Sequence, residues 1–147
     1  MSAKDPFEKN KFPPLLHLTF ILQQVSDDLL TEKVGVGLSQ TRIMSVLHSS
    51  VPRSQRLVAS RLGQTEANVS RQLRDMKKHG LVSIAKNKKD GRQKDVTLTS
   101  KGTKTYQNAE KILKTQQSNL LRLLSGSEVK AFERAAHNLN VQHNLEH

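Results

Sequence analysis

The chain has 147 residues, 35% of them hydrophobic and only 3% aromatic, with no cysteine and no tryptophan. That is enough for one domain with a core, and too little aromatic surface for base-stacking platforms. The missing cysteines exclude disulfides, thiolate metal sites and a cysteine redox switch, and no run approaches the roughly 18 apolar residues of a membrane span. The formal charge is +11. Residues 51–104 hold 14 basic side chains against 4 acidic ones, a net +10, while the flanks are nearly neutral. Charge that follows one structural unit points to a polyanion-binding face, the plainer alternative being a solvated basic surface. No apolar core of a signal peptide stands near the N-terminus, so a cytoplasmic, nucleoid-associated protein is expected.

Residues 1–14 are polar, with Pro6, Pro13 and Pro14, and read as an arm that Pro14 delivers into a helix. In that helix Leu15, Leu18, Leu22, Val25 and Leu29 recur at steps of 3, 4, 3 and 4, widened by Phe20, Ile21 and Leu30. Gly35 and Gly37 end it, and Ser39 is the expected cap of a second helix carrying Ile43, Val46 and Leu47. After a loop at Ser49, Ser50 and Pro52, Ser54 caps a short helix with Leu57, Val58 and Leu62. Gly63 stops it, Thr65 caps the next, and there Val69, Leu73 and Met76 share one face. Gly80 ends this helix, with Leu81 placed for the contact that accompanies a glycine stop. Two short helices around a tight glycine turn form a helix-turn-helix.

Alternation of period two follows, Val82 and Ile84 outward and Val96 and Leu98 on return, about a polar tip at residues 87–92. This is a β-hairpin. Thr99 or Ser100 opens a long helix containing Tyr106, Ala109, Ile112, Leu113, Leu120, Leu121 and Leu124, broken at Ser125-Gly126-Ser127. A final helix carries Val129, Phe132, Ala136 and Leu139. Leu145-Glu146-His147 reads as the stub of an expression tag. The expected fold is mainly α with a small β-hairpin wing. A single domain over 1–144 holds a winged helix-turn-helix core at about 38–102 and dimerisation helices at about 14–34 and 100–144. Leu15, Leu18, Leu22, Val25, Phe132 and Leu139 are its candidate dimerisation residues, since the core consumes neither stripe.

The helix after Thr65 advances about 100° per residue. With Val69, Leu73 and Met76 inward, its outer side carries Ala67, Arg71, Arg74 and Lys78, flanked by Asn68 and Ser70. Those residue types read major-groove base edges: Arg at guanine, Asn at adenine, small side chains at the thymine methyl. An ordinary amphipathic helix would mix both signs of charge more evenly. The hairpin crowds Lys86, Lys88, Lys89, Arg92 and Lys94 onto one ribbon, suited to a sugar-phosphate backbone and to one Arg in a narrow minor groove. Edge protection is the alternative role for such charges. Asp90 is expected to brace the Arg92 guanidinium, and Ser54 and Thr65 join the candidate DNA contacts.

Six pieces in order carry a resemblance. They are Leu38-Ser39-Gln40, residues 58–63 (VASRLG), residues 69–73 (VSRQL), residues 78–82 (KHGLV), Asp90-Gly91-Arg92, and residues 98–102 (LTSKG). This stretch resembles the winged-helix core of the MarR family of bacterial and archaeal transcription regulators, and the flanking helices fit a family that dimerises through its ends. The resemblance implies a dimeric, operator-binding regulator, by expectation a repressor. It also implies a small anionic or aromatic effector between the dimerisation helices and the winged core, with His17, Arg42 and His48 as candidate pocket residues. Two departures stand out: Gln64 where the family usually has an aliphatic residue, and Arg74-Asp75 where it has Asp-Arg.

Double-stranded DNA and a second copy of the chain are thus the expected partners; no membrane, cofactor or metal is expected. The alternative is an architectural protein that coats DNA without sequence preference, separated from a reader by the ratio of specific to random-sequence affinity. A protein-interaction adaptor accounts poorly for the +10 concentration. An enzyme is disfavoured, because no nucleophile with a base, phosphate-cradling glycine loop or convergent carboxylates are visible. The six histidines form no close metal-binding pair.

Overall fold

The computed structural model describes residues 13–49 and 51–145, with side chains through Val141. Most of the N-terminal arm, Ser50, and Glu146 and His147 of the supposed tag lie outside the described residues. The elements are α1 (Pro14–Val34), α2 (Leu38–Leu47), β1 (Arg53–Ser54), α3 (Gln55–Leu62), α4 (Glu66–Lys78), β2 (Val82–Lys86), β3 (Lys94–Leu98), α5 (Ser100–Leu121) and α6 (Gly126–Leu145). They make two compact units, residues 1–110 and 111–147, the division falling inside α5.

In the first unit the helix ends follow local chemistry. Pro14 stands at the start of α1, where its missing N–H is no loss, and Gly35 ends that helix in the left-handed region at φ 75°. The start of α2 differs from expectation. Ser39 lies inside the helix, and the N-terminal amide of Leu38 is bonded instead by Asp27 Oδ1 at 2.7 Å, from two turns back on α1. The extended Gly37 leaves room for that carboxylate, which a Cβ would meet. Ser54 and Thr65 do cap α3 and α4, accepting from Leu57 N–H at 3.1 Å and Asn68 N–H at 3.2 Å. At the end of α4, Leu81 N–H reaches Met76 O and Gly80 N–H reaches Lys77 O, a Schellman stop with Leu81 buried behind it.

The sheet is antiparallel in the order β1-β3-β2. Val82 faces Leu98 and Ile84 faces Val96, the register that alternation predicts. The third strand is an addition to the expected hairpin: Arg53 and Ser54 pair with Val96 and Asp95. At two residues it is too short to show periodicity. The core joins Ile43, Met44 and Leu47 of α2, Val58 of α3, Val69, Leu73 and Met76 of α4, and Val82 and Val96 of the sheet. α1 contributes the fully buried Leu30, whereas Leu15, Leu18 and Val25 stay exposed and Leu22 half-buried. The a/d stripe of this helix is therefore not spent on the core beneath it.

In the second unit α5 ends at Leu121, earlier than expected, so Leu124 lies in the connecting turn. α6 opens with a reciprocal capping box: Glu128 N–H donates to Ser125 Oγ at 3.3 Å and Ser125 N–H to Glu128 Oε2 at 2.7 Å. Phe132 and Leu139 of α6 are exposed. No described helix is long and apolar enough to cross a membrane.

Candidate nucleic-acid interface

α3, the turn at residues 63–65 and α4 form the helix-turn-helix. Gly63 takes φ 61°, which lets the chain reverse after α3 while Gln64 N–H bonds Ala59 O at 3.0 Å. The fully buried Val69, Leu73 and Met76 fix the rotation of α4. Ala67, Arg71, Arg74 and Lys78 consequently face solvent, with Asn68 and Ser70 half-buried at the flank, as the periodicity predicts.

The two acids of α4 are directed elsewhere. Glu66 pairs with Arg56 of α3 at 3.8 Å, and Asp75 accepts from Gln40 Nε2 of α2 at 2.8 Å. Both are exposed contacts that contribute little stability. Their effect is to direct negative charge off the outer face, leaving Arg71, Arg74 and Lys78 there, with the exposed Lys77 at its flank. The Arg74-Asp75 departure thus has a local use, since Asp75 ties α4 to α2.

Asn68 differs from the expected free reader. Its Oδ1 accepts from an Arg71 guanidinium N–H at 2.8 Å, and its Nδ2 donates to Gln64 Oε1 at 3.0 Å. Gln72 Nε2 donates to the same Gln64 oxygen at 3.0 Å, and Ser39 Oγ donates to Gln72 Oε1 at 2.6 Å. Sequence reasoning noted Gln64 only as a departure and missed Gln72. No periodic signal marks either residue.

In the wing, Lys86, Lys88, Lys89, Arg92 and Lys94 are all exposed. Lys86 and Lys94 are direct cross-strand partners, an arrangement that costs stability in the free protein. Asp90 does not brace the Arg92 guanidinium. Its Oδ1 accepts the main-chain N–H of Arg92 at 3.0 Å, because a short carboxylate reaches the amide two residues on without ordering a long side chain. Asn87, read in the sequence only as part of the polar tip, organises that tip, accepting from Lys89 and Asp90 N–H at 2.8 and 3.0 Å and donating to Asp95 at 3.0 Å. Asp90 therefore shapes the turn on which Arg92 is presented.

The three candidate pocket residues do not together line either described cavity. His48 lies against Tyr106 with ring centroids 4.6 Å apart and planes tilted by 46°, and His17 of α1 lines neither described cavity. Arg42 alone lines a cavity of about 460 Å³, with Phe20, Gln24, Asp27 and Leu38. Spacing on separate helices gave no means of judging this convergence.

A helix-turn-helix with a cationic outer face beside a basic hairpin defines a winged-helix fold. Residues 34–93 match the model of the MarR family. That match spans the winged core and less than half of the chain. No curated protein matches the sequence. Among solved structures, the MepR–DNA complex of S. aureus is similar at a TM-score of 0.76 and 20% identity, over 90% of this chain and 99% of that one. CouR, a transcriptional repressor bound to a 23-mer DNA duplex, gives 0.76 and 21% over 86% and 89%. The regulator PcaV from Streptomyces coelicolor, in complex with its natural ligand, gives 0.71 and 20% over 95% and 97%.

Proposed function

We propose that the chain is a dimeric, sequence-reading regulator of transcription that acts as a repressor on double-stranded DNA. α4 enters the major groove, and the wing follows the backbone with Arg92 toward the adjacent minor groove. The observation that carries this reading is the outer face of α4: Arg71, Arg74 and Lys78 opposite a fully buried apolar stripe, with both acids turned to neighbouring helices. The fold shared with two DNA-bound proteins supports it. The apolar residues that α1 and α6 leave in water support a second copy as partner. The cavity beside Arg42 and Phe20 offers one cation and one ring to a small anionic or aromatic effector.

The test is a pair of titrations at one salt concentration, against a selected site and a scrambled one. A bidentate Arg–guanine contact discriminates by roughly 1–3 kcal/mol, so Arg71→Ala should weaken binding to the selected site about ten- to a hundred-fold and hardly change the scrambled one. Lys78→Ala, nearer the backbone, should cost both DNAs alike. Equal losses for Arg71→Ala, with no site preferred by the unmutated protein, would replace the regulator with an architectural DNA coat.

A further inference from the structure

We infer that Asn68 and Gln64 are positioning residues for sequence reading: they hold the Arg71 guanidinium in place from within the helix-turn-helix, and Gln64 sets specificity without lying on the reading face. The inference rests on the reading that α4 contacts bases through Arg71. Arg71 can only donate, so the oxygen of Asn68 must face it. That choice turns Asn68 Nδ2 toward Gln64, whose oxygen must then be the acceptor. The same oxygen takes Gln72 Nε2, and Gln72 presents its own oxygen to the Ser39 hydroxyl. Four bonds, each with a donor meeting an acceptor, link five side chains from the start of α2, through α4 and the turn, to the exposed guanidinium.

The Asn68 amide is held at both ends, one N–H by Gln64 and one lone pair by Arg71, so any adenine contact would be confined to the orientation that those two bonds fix. Arg71, by contrast, keeps further N–H donors for a base once one is fixed by Asn68. A guanidinium already held in one orientation loses less rotamer freedom on binding, and that saving is greatest for the base that needs its fork geometry. An aliphatic residue at position 64 has no oxygen to offer. It would leave the half-buried amides of Asn68 and Gln72 to reorient, and Arg71 to swing.

The experiment measures the ratio of selected-site to scrambled-site affinity for the full chain, Gln64→Leu, Asn68→Ala, Arg71→Ala and the double variant Gln64→Leu/Arg71→Ala, with thermal melts confirming the fold. Gln64→Leu should lower the ratio by about five- to ten-fold in the presence of Arg71, within the range of coupling between contacting residues. It should lower it no further once Arg71→Ala is in place. Asn68→Ala should relax preference at the same base pair as Gln64→Leu. If Gln64→Leu leaves the ratio unchanged, or lowers it equally with and without Arg71, the inference is overturned while the reading of α4 stands. If Asn68→Ala alters preference at a different base pair from Arg71→Ala, Asn68 is itself a reader and the inference falls. Should Arg71→Ala alone leave the ratio intact, the reading of α4 fails first and takes this inference with it.

Discussion

Gly102 lies buried in the first turn of α5, its N–H bonded to Thr99 Oγ1 at 3.0 Å, and a Cβ there would overlap the carbonyl oxygen of Leu81. That carbonyl is not free to move, since it accepts from Thr99 N–H at 3.0 Å and belongs to the residue that closes the glycine stop of α4. Two effects oppose each other in Gly102→Ala. Helix propensity favours Ala by about 1 kcal/mol, while overpacking against fixed backbone costs about 1–3 kcal/mol. The clash should win, because its partner is main chain rather than a side chain that can rotate away. Denaturant unfolding should show a lowered midpoint for Gly102→Ala and none for Gly91→Ala, where a Cβ meets open space. A midpoint unchanged in both would mean that the α4–α5 junction is looser than its hydrogen bonds indicate.

Among the elements, the wing is where charge works against stability. Lys86 opposite Lys94 repels, and three more exposed cations crowd the tip, while the one acid there is turned to the main chain of Arg92. Such an arrangement becomes favourable once phosphates neutralise it, so its signature should be a salt slope. Replacing Lys88, Lys89 and Arg92 together with Ala should weaken binding to selected and scrambled DNA alike. It should also flatten log affinity against log salt by about 0.9 for each phosphate that the wing no longer neutralises. An unchanged slope would reduce the wing to a protected edge. The elements themselves were legible because their signals are local: Ser54 and Thr65 cap where they stand, Val69, Leu73 and Met76 repeat on one face, and Gly63 and Gly80 stop helices. What escaped depends on residues far apart in sequence. Asp27 takes over the capping expected of Ser39 from 11 residues away, β1 exists only because β3 offers it a partner, and Gln64 acquires a role only when Gln72 and Asn68 are brought to it. The exposed, cationic side of α4 was thus visible in the sequence, and the polar wiring behind it was not.

For the whole molecule, the decisive quantity is how many copies meet the DNA. α1 leaves Leu15, Leu18 and Val25 between 43% and 59% exposed, and α6 leaves Phe132 and Leu139 at 51% and 61%. Apolar surface gains roughly 25 cal/mol per Å² on leaving water, and monomers seldom retain so many large apolar side chains on successive helical turns. On the proposed function a second copy would be the occupant, because two α4 helices about a two-fold axis would meet half-sites about 10 bp apart. Sedimentation at micromolar concentration should therefore give about 33 kDa, twice the chain's 16.5 kDa. Leu18→Glu with Val25→Glu should shift that mass toward the single chain without altering the helix-turn-helix, since neither side chain belongs to its buried core. The same variant should lose most of its affinity for a two-half-site duplex yet bind an isolated half-site as the parent does. A parent chain that sediments cleanly as a monomer would remove the two-fold reading, leaving each α4 to act on a half-site alone.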